Sequence, residues 1–135
     1  DSGSFEFLGF EFRWGLDRKK RPCVQRRTAP KKFRGALKNF NAWCRTHRHL
    51  RARKLITLLN VKLRGYYNYY GVIGNYKRLA EYFHYVRRFL FKWMNRRSER
   101  RSYTWAGFDQ LLRVCPLVRP RITEQISRQL HLSHA

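Results

Sequence analysis

The sequence predicts a mainly α fold, in which an N-terminal β-hairpin leads into a bundle of three to four helices. Three observations carry this. Apolar residues recur at helical spacing in three long segments. Alternation of period two is confined to the part before Pro30, and turn residues such as Gly74-Asn75 and Pro116 fall between the segments. Phe5 to Trp14 alternates partly, with Phe5, Phe7, Phe10, Phe12 and Trp14 around Gly9, and reads as one strand kinked at the glycine. Gly15 to Lys20 is a turn-rich basic link, and Arg21 to Arg27 returns as the second strand. Thr28-Ala29-Pro30 offers a capping hydroxyl and a proline suited to a first helical turn. Phe33, Leu37, Phe40 and Cys44, with Ala36 and Trp43 beside them, then form a buried stripe that Lys31, Lys32, Arg34 and Lys38 largely avoid.

A second helix is expected from about Ala52 to Arg64 on Leu55, Ile56, Leu59 and Leu63, with Gly65 and Gly71 bracketing the tyrosines that follow. The third is the clearest, because Leu79, Tyr82, Phe83, Val86, Phe89, Leu90 and Trp93 hold one face while Lys77, Arg78, Arg87, Arg88 and Lys92 occupy the rest. Ser98 to Arg101 is a polar, basic break, and Thr104 is placed to cap a short fourth helix carrying Trp105, Phe108, Leu111 and Leu112. Pro116 ends it. The chain through Pro120 reads as extended, and Ile122 to Leu132 as a frayed helix or a disordered end. The expected division is a hairpin over 1–28, a helical unit over 29–122 and a tail over 123–135.

At 135 residues, 43% hydrophobic and 16% aromatic, the chain can build one core. Its charge is the outlier: 31 Lys and Arg against 8 Asp and Glu give +23, enough to strain a compact state unless a polyanion relieves the repulsion. Nucleic acid is the expected partner. A membrane is not, since no apolar run approaches the roughly 20 residues of a spanning helix. Cys23, Cys44 and Cys115 are odd in number and widely spaced, which points to neither a disulfide framework nor a zinc site. His47 and His49 lie on different faces of a helix and have no second ligand pair nearby, so no metal is expected. The chain begins at Asp1 without Met or a signal peptide and reads as a piece of a longer protein. The acids Asp1, Glu6, Glu11, Asp17, Glu81, Glu99, Asp109 and Glu124 are scattered, and no phosphate loop or nucleophile-base pair accompanies them, so no catalytic residue is expected.

Binding is the legible function, and three features would make it selective. Arg18 to Arg21 with Arg26, Arg27, Lys31 and Lys32 form a stripe that a phosphate backbone could follow. Tyr66, Tyr67, Asn68, Tyr69 and Tyr70, with Asn75 nearby and Lys62, Arg64, Lys77 and Arg78 around them, combine rings that stack on bases with groups that bond their edges. Individual tyrosines could equally pack the seam between helices. Third, between Trp93 and Trp105, two indoles expected to anchor the core, Arg96, Arg97, Arg100 and Arg101 fan outward. A solvated charge run is the bland reading of any one stripe.

Phe7-Leu8-Gly9-Phe10 with Phe12-Arg13-Trp14, Trp43-Cys44, Arg48-His49, Leu59 to Gly71, Gly74-Asn75, Lys92 to Ser98, Ser102-Tyr103-Thr104-Trp105 with Gly107-Phe108, and Arg119-Pro120-Arg121-Ile122 stand in an order and spacing that resemble the maturase-specific region of group II intron-encoded reverse transcriptases. The resemblance covers Phe5 to Ile122. It implies the end of a palm domain, with Phe7, Leu8, Gly9 and Phe10 in a primer-grip-like hairpin, followed by a thumb-like bundle. It also implies two RNA partners, intron RNA during splicing and a template-primer duplex in the parent protein. Phosphate contacts fall to Arg26, Arg27, Lys31, Lys32, Lys62, Arg64, Lys77, Arg87, Arg88, Arg96, Arg97, Arg100, Arg101, Arg119 and Arg121, and the binding face to Tyr66, Tyr67, Asn68, Tyr69 and Asn75. The polymerase aspartates of this family are absent here, so Mg and polymerase chemistry would belong to an upstream palm and fingers domain, and this chain alone would need no cofactor. Val118 stands where the family often carries proline. A cytoplasmic or organellar location is implied. The alternatives are a generic basic structural protein that binds RNA by charge, and the thumb fragment of a split RNA-directed DNA polymerase.

Overall fold

The computed structural model describes residues 3–97 and 102–125. Three strands, β1 (Ser4–Phe7), β2 (Phe10–Leu16) and β3 (Pro22–Thr28), form an antiparallel meander, and four helices follow: α1 (Pro30–His47), α2 (Ala52–Tyr70), α3 (Tyr76–Met94) and α4 (Trp105–Val114). The mainly α class with an N-terminal sheet is as expected. The aromatic strand is two strands, however. Leu8 and Gly9 both take positive φ, 53° and 87°, and turn the chain back so that Phe7 pairs with Phe10 and Phe5 with Phe12. Two positive φ values at the centre of a two-residue loop match the twist of paired strands, so a hairpin forms where the sequence reads as a kink.

Pro30 opens α1, as its fixed φ favours. Thr28 does not cap that helix; it ends β3, and its hydroxyl accepts a hydrogen bond from Asn75 Nδ2. α2 runs about 1.7 turns past Arg64, through Gly65 and the whole tyrosine run to Tyr70. Gly65 has open space around it and interrupts nothing. The cost of one helical glycine, about 1 kcal/mol, is outweighed by burial of Leu55, Ile56, Leu59, Leu63 and Tyr67 on one face. α3 buries Leu79, Tyr82, Val86, Leu90, Trp93 and Met94 and packs along α1, where Phe40 meets Tyr82 and Phe89. Thr104 caps α4 as expected, its hydroxyl accepting from Gly107 N at 3.0 Å. Phe108 is buried, whereas Trp105 is half exposed and lies flat on Phe91 at 3.8 Å rather than inside the core.

After α4 the chain is extended, and it straps α2 from outside. Asn60 Nδ2 donates to Pro116 O and its Oδ1 accepts from Val118 N; the Tyr67 hydroxyl donates to Val118 O. Further on, Thr123 N and Glu124 N both donate to Gly71 O. Gly71 is required there, because a Cβ would stand 2.2 Å from Tyr67 O and 3.0 Å from Arg121 O. The strap ends on the sheet, where Glu124 takes both Nη groups of Arg26 and also accepts from Ile73 N. Residues 122–125 are therefore not helical, and Thr123 and Glu124 are bonded in place; the remainder of the expected tail lies outside the described residues.

Candidate nucleic-acid interface

Helical rotation distributes the tyrosine run over different surroundings. Tyr67 is fully buried, Tyr66 and Tyr70 are half-buried, and Asn68 and Tyr69 are exposed. Tyr66 stacks on Tyr82 with centroids 3.8 Å apart and planes 8° from parallel. Burial pushes the phenols of Tyr66, Tyr67, Tyr70 and Tyr82 above their ordinary range, with neighbouring phenols adding to the shift, so all four stay neutral donors at physiological pH. Phe10 packs between the rings of Tyr69 at 5.7 Å and Tyr70 at 5.2 Å, and the Tyr69 hydroxyl donates to Leu8 O. The cluster thus clamps the β1–β2 turn from behind.

Asn75 is buried in the same junction. Its Oδ1 accepts from Thr28 N at 2.9 Å, and its Nδ2 donates to Thr28 Oγ1 and Tyr70 O. Tyr67 and Asn75, expected on the binding face, are therefore structural: both are enclosed and their polar atoms are taken by protein partners. Tyr69 and Asn68 keep surface for a ligand. Of the primer-grip-like residues, Phe10 is in the junction, Gly9 lies against the Tyr70 hydroxyl, and Phe7 and Leu8 project outward.

The sheet presents an aromatic face that Tyr69 and Tyr70 cover at Phe10 and that is otherwise largely exposed. Phe5, Phe7, Phe10, Phe12, Trp14 and Leu16 share it with Val24 through the β2–β3 register, and Phe5, Phe7 and Trp14 are 64%, 60% and 68% exposed. Beside the sheet a cleft of about 730 Å³ runs between β2–β3 and the start of α3, lined by Arg13, Arg18, Arg26, Arg27, Lys77 and Arg78 around Val24 and Ile73.

The cations divide by what holds them. Arg21 pairs with Asp17, Arg26 with Glu124, Arg27 with Glu11, Arg78 with Glu81 and Arg87 with Asp109. Arg26, Arg27 and Arg87, expected on phosphates, thus each have a carboxylate partner within the protein. Lys31, Lys32, Lys62, Arg64, Lys77, Arg88, Arg96, Arg97, Arg119 and Arg121 form no ion pair among the described residues. Arg100 and Arg101 lie outside them. The long helices each open with two cations and no acid: Lys31 and Lys32, Arg53 and Lys54, Lys77 and Arg78. Positive charge at helix N-termini opposes the macrodipole by about 0.3–1 kcal/mol per group, a cost that a bound polyanion reverses.

The far end of the bundle, where α1 ends, α2 begins and α3 ends, holds Trp93 and Arg96 of the third basic feature and brings Arg48 to them from the end of α1. Arg48, Lys92 and Arg96 stand 5.2, 4.8 and 5.6 Å from the centroid of the Trp93 ring. Trp93 Nε1 donates to Asn41 Oδ1 at 2.7 Å, which fixes the indole. Arg97 donates to Met94 O and Leu50 O and lies over Tyr103, so it joins the loop after α1 to the end of α3. The grouping of Arg48 with Lys92 and Arg96 was not legible from spacing, because it depends on α1 and α3 ending side by side.

Among the described residues no group of three or more His, Cys, Asp and Glu could hold a metal ion, and no helix is long and apolar enough to cross a membrane. His47 and His49 direct Nδ1 to the backbone oxygens of Trp43 and Thr46. The three cysteines are free, and burial pushes the Cys44 thiol up to about 12.

Comparison with known families and structures places the chain. No curated protein and no solved structure matches it. The family model for the group II intron, maturase-specific domain, matches residues 30–109, which span α1, α2, α3 and the first half of α4. The match includes the tyrosine clamp, Asn75 and the Trp93 end, and the chain belongs to the group II intron maturase-specific domain family.

Proposed function

We propose that this chain is the RNA-binding thumb and maturase segment of a group II intron reverse transcriptase. It holds structured intron RNA in its active fold to assist splicing, and in the whole protein it grips the template-primer duplex. The observation that carries this reading is the un-neutralised positive surface of the family-matched segment: of its many cations only Arg78 and Arg87 are engaged by carboxylates among the described residues. Lys31, Lys32, Lys62, Arg64, Lys77, Arg88, Arg96, Arg97, Arg100, Arg101, Arg119 and Arg121 supply phosphate contacts, with Asn68 and Tyr69 offering an edge and a ring to unpaired bases. The chain supplies binding rather than chemistry, and metal-dependent polymerisation belongs to a palm domain.

The test is a salt series of affinity for a folded group II intron RNA beside an unstructured RNA of equal length. Preference for the folded RNA that survives at high salt is expected, because the sequence-independent charge contribution fades there. Two curves that fall together would reduce the chain to a generic basic RNA binder.

A second reading, the thumb of a split RNA-directed DNA polymerase, is favoured by the largely exposed aromatic face of the sheet, which has the character of a surface awaiting a neighbouring domain. Mixing the chain with a palm fragment would then restore primer extension; absence of extension with both parts folded would exclude it.

A further inference from the structure

A cation held by a carboxylate is oriented but neutralised. One held by an aromatic face is oriented and keeps its charge, because the ring contributes only a quadrupole. The first arrangement serves the fold; the second prepares a site for an anion. Arg26, Arg27, Arg78 and Arg87 are of the first kind. Arg48, Lys92 and Arg96, gathered on Trp93 from two helices, are of the second, and none of them forms an ion pair among the described residues.

We propose that Arg48, Lys92 and Arg96 around Trp93 form a phosphodiester-binding site, an anchor for an RNA strand at the end of the bundle remote from the sheet. The proposal rests on the RNA-binding reading above and gives it a place. The site is built: Asn41 fixes the indole, and Arg97 ties Leu50 to Met94 so that the two helix ends hold their spacing. Arg48 caps α1 and Lys92 lies in the last turn of α3, so the negative ends of both helix dipoles keep the cations together when no ligand is bound. The charge continues outward through the exposed Arg45, Arg51, Arg53 and Lys54. A single small carboxylate would engage one of these groups, whereas a chain of phosphates engages them in succession, and the guanidinium forks suit bidentate phosphate contacts.

The test uses the full chain and compares Arg48→Gln with Lys92→Gln in one variant against a charge-matched control, Lys38→Gln with Arg113→Gln. Both are titrated across salt with folded intron RNA and with unstructured RNA, after melting curves establish that they fold. The slope of log affinity against log salt is expected to become shallower by about 0.7 to 0.9 for each lost phosphate contact in the cluster variant, and by less in the control. Arg48→Lys, which keeps the charge, is expected to recover most of the loss. A cluster variant whose salt slope matches that of the control, or an Arg48→Lys variant whose slope falls as far as that of Arg48→Gln, would overturn the site. Failure of the unmodified chain to prefer folded RNA would instead sink the maturase reading, while the slopes on unstructured RNA would still decide the cluster.

Discussion

The two ends of the bundle use similar residues to opposite effect. At the sheet end, aromatic rings and cations build the fold: Tyr67, Tyr69 and Tyr70 clamp the β1–β2 turn and the strap, Asn75 joins β3 to the α2–α3 turn, and carboxylates take up Arg21, Arg26, Arg27 and Arg78. At the other end no carboxylate among the described residues pairs with Arg45, Arg48, Arg51, Arg53, Lys54, Lys92 or Arg96, and an indole does the orienting. The difference separates stability from affinity. Changes at the sheet end should be felt in folding, and changes at the Trp93 end in binding.

The largest effect is expected for Tyr67→Ala, which removes a buried ring and its bond to Val118 O. It should lose about 4 kcal/mol of unfolding free energy, in the range of large-to-small core substitutions, with the salt slope of RNA binding unchanged. Normal stability with lost affinity would erase the distinction between the ends. Next comes Asn75→Ala. It orphans Thr28 N and Tyr70 O at the sheet–bundle junction, and denaturant unfolding should show a loss of about 3 kcal/mol.

Acid should act more locally. The Glu124 carboxyl is held below its ordinary value by its hydrogen bonds from Arg26; burial, next in size, opposes this, and the Ile73 amide adds a smaller lowering. A lowered pKa means that the ionised form favours the folded state, so the strap's docking is fully present above about pH 4.5 and is lost as pH falls through the lowered value. Hydrogen exchange at the amides of Ile73, Thr123 and Glu124 should accelerate in that window before the core amides of α3 do, and simultaneous acceleration would contradict an independently released strap. The smallest effect is expected for Tyr66→Phe. The Tyr66 hydroxyl is buried with no hydrogen bond of good geometry among the described residues and only a weak interaction with Thr28, so its removal should change stability by no more than about 0.5 kcal/mol. A thermal melt would reveal a destabilised variant if that hydroxyl were engaged.

Much of the fold could be read from the sequence because burial imposes a period. The stripes on α1 and α3 lie where Phe33 to Cys44 and Leu79 to Trp93 put them. The misread places are those where long-range contacts override local signals. Gly9 carries a turn because Tyr69 and Tyr70 secure it, and Gly65 sits inside a helix because Leu63 and Tyr67 are buried on either side. Thr28 loses its expected capping role to Asn75, a residue distant in sequence. The site is less legible. Exposure within the tyrosine run depends on the angle of each residue around α2, and neutralisation of Arg26 depends on Glu124, which the strap brings across the whole fold. A lone acid in a basic tail was the available clue.

Lysine-amine footprinting on intron RNA tests the central claim most directly. Acetylation of each lysine, read by mass spectrometry with and without folded RNA, reports which end of the bundle the RNA covers. The account predicts that Lys54 and Lys92 lose the most reactivity. Protection greatest at Lys19 and Lys20, with Lys54 and Lys92 still reactive, would contradict it and return the binding face to the sheet end.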